Sequence, residues 1–253
     1  MSTVLETRGL TRRFGGLEAV SDVSIAVEGG SVLGVIGPNG AGKSTLINTI
    51  TGHVKPSAGS VTIDGRDVTG ERPWTIAKAR VARTFQIVKP FRDLTVRENV
   101  AIGAMYGAEP ASKREAMGRA EEVLERVALG GKGDLAPAEL SVADARRLEL
   151  AKALAMQPRV MLLDEVMAGL RPAEIDPALK LIRALRDEGI TIIVVEHVMK
   201  VIVSVSDTVL VMHEGKELTR GDPHEVMSDP RVIEAYLGER YARRARGEDG
   251  DAA

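Results

Sequence analysis

The sequence predicts an α/β protein: a parallel-sheet core, an N-terminal antiparallel β subdomain and an inserted helical subdomain. Two observations predict it. Late in the chain, "RVMLLD", "ITIIVVE" and "DTVLVMH" are apolar runs separated by helical patterns, the rhythm of a parallel sheet. Early in the chain, strand patterns with short turns dominate, and between the two parts about residues 97–157 read as helix.

Taken in order, Val4 to Leu10 and Val20 to Val27 alternate like half-buried strands. "SVLGVI", Ser31 to Ile36, is a short apolar run that ends in a glycine-rich loop, and helix is expected from about Gly42 to Thr51. "SAGSVTIDGRDV" holds a strand, an Asp64-Gly65 hairpin turn and a short return. "SKREAMGRAEEVLERVAL" places Ala116, Ala120, Val123, Leu124 and Val127 at helical spacing. "EGKEL" predicts a final hairpin, and no internal repeat is present. A single domain over residues 1–240 is expected, followed by a polar, flexible tail over 241–253.

Composition narrows the function classes. With 253 residues, 44% hydrophobic and 28% charged, the chain is long enough for a sizeable core and too apolar for disorder. A net charge of −2 argues against a dedicated nucleic-acid binder, which needs a basic excess to neutralise phosphates. The absence of cysteine excludes disulfides, thiolate metal sites and cysteine nucleophiles. "MSTVLETRGL" carries no leader pattern and no apolar run is long enough to span a membrane, so any membrane role must come through a partner.

"GPNGAGKST" is the strongest signal. It matches G-x-x-x-x-G-K-[ST] at Gly37, Gly42, Lys43 and Ser44, between an expected strand and an expected helix. Glycines let the backbone double back, so the N–H groups of Gly37, Pro38-flanking Asn39, Gly40, Ala41 and Gly42 and the helix N-terminus can surround phosphate oxygens. Lys43 is then expected to reach the β- and γ-phosphates, Ser44 to hold Mg²⁺, and Thr45 to support the α-phosphate. Asp164, at the end of "VMLLD", supplies the carboxylate for Mg²⁺ through water, and Glu165 beside it is the candidate general base for the attacking water.

Together these residues resemble an ATP-binding subunit of an ABC transporter, over nearly the whole chain. The resemblance implies a P-loop NTPase with a RecA-like core. It places Gln86 in "RTFQ" as the glutamine that senses γ-phosphate and Mg²⁺ and faces the membrane subunit, His197 in "VVEH" as the switch histidine, and Phe14 as the aromatic on adenine. Singly, each has a plainer reading: a loop amide, a surface or capping histidine, a core aromatic. "RTFQIVKPFRDLTVRENVAIGAMYG", "AGLRPAE", "VVEHVMKVI" and "VIEAYLGE" resemble the ATPases of branched-chain and other hydrophobic amino acid importers. Urea or amide import stands as an alternative cargo, and a non-transport ABC ATPase, as in iron–sulfur assembly, as an alternative role.

The same resemblance implies partners and place. These are a second ABC ATPase subunit, two integral-membrane permease subunits and, indirectly, a periplasmic substrate-binding protein, with this chain peripheral on the cytoplasmic face of the membrane and no nucleic acid involved. In that family, ATP on one subunit's phosphate loop is closed over by the signature of the facing subunit. Here the usual L-S-G-G-Q reads Leu140, Ser141, Val142, Ala143, Asp144, so only Ser141 is retained as a nucleotide contact. Ala143 adds a methyl, and Asp144 adds a charge that at about 7 Å from a phosphate costs roughly 0.6 to 2.4 kcal/mol per unit charge, unless Arg146 or Arg147 offsets it. Ser141-x-x-Asp144 is equally a capping box at a helix start, worth about 1 kcal/mol. Val166, Arg171 and Val198 depart from the family's usual residues as well. These departures favour a heterodimer with an ATPase whose signature is intact.

Overall fold

The computed structural model describes residues 2–85 and 88–237. In chain order the first half comprises β1 (Thr3–Phe14), β2 (Leu17–Glu28), β3 (Val32–Ile36), α1 (Lys43–Ile50), β4 (Ala58–Ile63), β5 (Arg66–Asp67), α2 (Pro73–Lys78), β6 (Val81–Arg83) and α3 (Val96–Tyr106). The second comprises α4 (Lys113–Arg126), α5 (Val142–Ala155), β7 (Val160–Asp164), α6 (Pro172–Asp187), β8 (Thr191–Val195), α7 (Met199–Val205), β9 (Thr208–His213), β10 (Lys216–Gly221), α8 (Pro223–Met227) and α9 (Pro230–Leu237).

Two sheets result. An antiparallel sheet runs β2-β1-β4-β5, and a six-stranded sheet runs β10-β9-β3-β8-β7-β6, parallel throughout except for β10 at one edge. The Asp64-Gly65 turn forms as expected, with φ 49° and 76°, the two positive values that a two-residue hairpin of this twist demands. In β2, Val23, Ile25 and Val27 are buried alternately with exposed neighbours, the mark of a sheet with one covered face.

β3, β7 and β8 are buried along their whole length because both faces of the parallel sheet are covered. Successive residues feed opposite cores: Val32 and Ile36 join the core shared with the helices, while Leu33 and Val35 join the core under the antiparallel sheet. The five predicted helical positions from Ala116 to Val127 are all buried in the first of these. α3 and α4 each start with a complete capping box, Thr95 with Glu98 and Ser112 with Glu115, which fixes where each helix begins. Gly103 lets α3 lie directly on α5, since a Cβ there would sit 2.4 Å from the Lys152 carbonyl oxygen.

Four elements were not legible in the sequence pattern: α2, β6, α8 and α9. β6 has three residues, too few for a period to show, and takes its strand conformation from pairing with β7.

Candidate active site

The parallel strands β3, β7 and β8 end side by side, and the loops that leave them converge. From β3 the chain enters the Gly37–Gly42 loop. Gly42 is the N-cap of α1 at φ 98°, and Gly37 is buried at φ 152°. Added Cβ atoms would lie 2.3 Å from the Ala19 carbonyl oxygen and 2.2 Å from that of Met212, respectively. The loop is therefore built on close backbone approaches that only glycine permits. It is held by Ala41 N–H donating to Pro38 O and Gly215 N–H donating to Ala41 O, while Asn39 and Gly40 stay exposed. Gly42→Ala is expected to weaken ATP binding by about 10- to 100-fold, because strain of roughly 1–3 kcal/mol must be absorbed by the loop. Titration with a fluorescent ATP analogue checks this.

Lys43 folds back across the loop, its Nζ donating to Gly37 O at 2.6 Å and Pro38 O at 3.0 Å. Burial lowers its pKa, against the opposing attraction of Glu165 and Asp164. All three side chains thus share one electrostatic site. Ser44 is exposed at the start of α1, and Thr45 follows it half-buried. Ser44 and Asp164 both line a cleft of about 730 Å³ that also takes in Arg83, Phe85, Tyr106 and Lys152.

Asp164 ends β7 and is 6% exposed. Its Oδ2 accepts from Arg83 Nη2 at 2.8 Å, and Arg83 Nη1 donates to Asn48 Oδ1 of α1 at 2.6 Å. A buried guanidinium therefore joins the carboxylate to the helix that follows the Gly37–Gly42 loop. Glu165, half-buried, sits at φ 49°, an uncommon value for a residue with a side chain and worth roughly 1–3 kcal/mol of strain. His197, exposed at the end of β8, has Nδ1 4.0 Å from Glu165 Oε1. Glu196 beside it is buried and accepts from the Met167 backbone N–H at 2.9 Å. Burial pushes its carboxyl above the usual range.

A hard-cation site is chemically compatible with this donor set. Among the described residues no group of three or more His, Asp or Glu could encage a metal alone. One serine hydroxyl and one carboxylate, with room for oxygens from water or phosphate, suit Mg²⁺, which keeps part of its hydration. Gln86, the third expected contributor, lies outside the described residues.

Phe14 ends β1 and is 44% exposed, so it is not a core aromatic. The Arg12 guanidinium lies 4.3 Å from its ring centre on one face.

The signature segment corrects one expectation. Ser141 caps α5, its Oγ accepting from Asp144 N–H at 3.1 Å, but the Asp144 carboxylate does not return to the Ser141 N–H, so only half of the capping box forms. Instead it accepts from Ser141 Oγ at 2.9 Å, Lys132 Nζ at 2.6 Å and Arg147 Nη1 at 3.2 Å. Burial opposes its ionisation, but Lys132, Ser141 and Arg147 outweigh burial and hold the carboxyl below its usual range. Asp144 and Ala143 are both buried, whereas Ser141 and Val142 are exposed. The charge and the extra methyl thus point into the protein, where Lys132 and Arg147 pair with the Asp144 carboxylate.

Three residues at this site were missed in the sequence. Arg83 and Glu196 are two. The third is Tyr236 of α9, whose buried hydroxyl faces the Gly37 N–H without completing a hydrogen bond; burial pushes its pKa up to about 12. The third carries a sequence signal only through "VIEAYLGE", which gave no hint of where its side chain goes.

A family model described as ABC transporter matches residues 20–168, and one described as branched-chain amino acid ATP-binding cassette transporter matches residues 217–242. The chain is 40% identical over 250 residues to the high-affinity branched-chain amino acid transport ATP-binding protein BraF of Pseudomonas aeruginosa, covering 93% of this chain and 98% of that one. It is 38% identical over 250 residues to the protein of the same description, LivG, of Escherichia coli, with the same coverage. A crystal structure of an ATP-binding cassette of an ABC transporter in its ADP conformation resembles it with a TM-score of 0.87 at 32% identity, over 94% of this chain and 100% of that one. With these matches and the converging loops, the chain belongs to the ABC transporter family of ATP-binding, ATP-hydrolysing subunits.

Proposed function

We propose that this subunit binds ATP with Mg²⁺ and hydrolyses it to energise an importer of branched-chain or related amino acids. The observation that carries the mechanism is the convergence of Lys43, Asp164, Glu165 and His197 at the ends of three adjacent strands. The relatives at 38–40% identity and the match at residues 217–242 support the cargo class.

In this reading the 37–42 loop and Thr45 cradle the phosphates with backbone N–H groups, and Phe14 offers its open face to adenine. Lys43 leaves its loop carbonyls for the β- and γ-phosphates. Mg²⁺, when bound, would neutralise charge on those phosphates, with Ser44, Gln86 and Asp164 as the residues that hold it. Glu165 accepts the proton of the attacking water, and His197 orients the γ-phosphate. Ser141, exposed at the α5 N-terminus, contacts the nucleotide of the facing subunit.

The chain works as half of a dimer bound to two permease subunits on the cytoplasmic face of the membrane. A heterodimer is favoured, with an ATPase of intact signature as partner, because Ala143 and Asp144 are turned inward and Ser141 is the one usual signature contact left exposed to a facing nucleotide. Among the described residues no helix is long and apolar enough to cross a membrane, which fits a peripheral subunit. The test is purification of the tagged chain from detergent-solubilised membranes and reconstitution of what accompanies it in vesicles. A permease pair, a second ATPase and leucine-stimulated ATP turnover are expected. Full turnover by the isolated homodimer would overturn the heterodimer, and a complex unresponsive to branched-chain amino acids would overturn the cargo.

A further inference from the structure

Glu196 has no role in the chemistry described so far, yet it is 1% exposed and sits beside His197. Its Oε1 accepts from Met167 N–H at 2.9 Å, and its Oε2 is buried with no hydrogen-bond partner among the described residues. A buried carboxyl that completes one backbone hydrogen bond, with the His197 N–H facing it without completing a second, calls for an explanation.

The explanation lies in the turn that it reaches. Glu165 leaves β7 in the left-handed region at φ 49°, and the chain folds back through Ala168 N–H to Glu165 O at 3.1 Å and Leu170 N–H to Met167 O at 3.2 Å. Such a conformation persists only where its surroundings hold it. Two contacts from the end of β8 do so: Glu165 N–H donates to Val195 O at 2.9 Å, and Met167 N–H donates to Glu196. Val166, Met167 and Leu170 also border an open pocket of about 150 Å³ lined by α5, α6 and the end of α4. The turn is therefore fixed from the β8 side.

We propose that Glu196 is a positioning residue for hydrolysis: its carboxyl clamps the turn after β7, so that Glu165 and His197 keep their spacing across two strands. This rests on the assignment of Glu165 as general base. Neither the acceptor nor the clamp requires contact with nucleotide. A carboxyl raised by burial makes the same contact when neutral, so an amide oxygen should replace it.

The experiment measures steady-state ATP turnover, ATP affinity and thermal unfolding for Glu196→Gln, Glu196→Asp and Glu196→Leu in the full complex, with Glu165→Gln alongside. Glu196→Gln, which keeps the acceptor, is expected to stay within about threefold of the parent kcat. Glu196→Leu keeps the volume and loses the acceptor; its kcat should fall on the order of 10²-fold, as for a catalytic group displaced by about 1 Å, with KM and ATP affinity unchanged. Glu196→Asp, which draws the acceptor back by one methylene, should be slowed at unchanged ATP affinity, and decides the matter if the Leu variant does not fold. A parent-like kcat in the Asp and Leu variants overturns the proposal, as does a loss of ATP affinity that matches the loss of turnover, or a Gln variant as slow as Leu. Turnover that survives Glu165→Gln defeats the general-base assignment instead.

Discussion

Glu165→Gln is expected to abolish ATP turnover while leaving ATP binding intact. The substitution keeps the size and one oxygen of the side chain, but the amide cannot accept a proton, and a positioned general base contributes typically 10²–10⁴-fold. Binding survives because the groups expected to hold the phosphates, the 37–42 loop and Lys43, lie on the loop after β3 and the start of α1, apart from β7. The measured pair is single-turnover phosphate release and equilibrium binding of ATP. A fall of at least about 100-fold in the first, with the second within about twofold, is the expected result. Unchanged phosphate release would remove Glu165 as the base.

Arg83→Met should produce the largest loss of stability. Arg83 and Asp164 side chains are each 9% exposed and 2.8 Å apart, and removing one partner of a buried pair leaves the other charge uncompensated, at a cost of roughly 3–5 kcal/mol. The pair borders the open cleft, where water can reach the carboxylate, so the lower end of that range is expected. For a chain of this size, about 3 kcal/mol corresponds to a Tm lowered by roughly 6–12 °C. Mg²⁺ with ATP should restore part of the loss, since a bound cation gives Asp164 a new counter-charge and ligand binding itself favours the folded state. Arg83→Lys should fall between the two, because a lysine keeps the charge but cannot bridge Asp164 and Asn48 as the guanidinium fork does. Calorimetry of the three proteins with and without Mg²⁺–ATP checks the order. A loss below about 1 kcal/mol in Arg83→Met would show that the pair adds little.

What the sequence disclosed was what is encoded locally. The Gly37–Ser44 motif is legible because its glycines, lysine and serine lie close together and the strand and helix on either side are read from their own periodicity. Asp164 and Glu165 are legible because a buried strand must end in a turn, and an acidic pair there is chemically conspicuous. Arg83 was not, because its partners Asn48 and Asp164 lie 35 and 81 residues away and only the order of strands brings them together. Glu196 was hidden by its neighbour, since His197 drew attention to the same tetrapeptide. The altered signature was read correctly as a helix start, but the direction of Asp144 depended on Lys132, twelve residues upstream and in a loop. Of the three groups on the Asp144 carboxylate, Ser141 and Arg147 are local and legible, and Lys132 is not.

β6 has a mechanical consequence. It is three residues long, forms one edge of the six-stranded sheet and is paired on one side only, to β7. An interior strand such as β3 cannot shift without breaking two ladders, so it acts as a stiff member. An edge strand this short is compliant: a small slide shears a single ladder and leaves the rest of the sheet undistorted. Arg83 is its last residue and grips Asp164, so a pull on the chain beyond β6 would be delivered to that carboxylate as a displacement rather than dissipated through the core. The fold thus places a short edge strand in series with a buried ion pair.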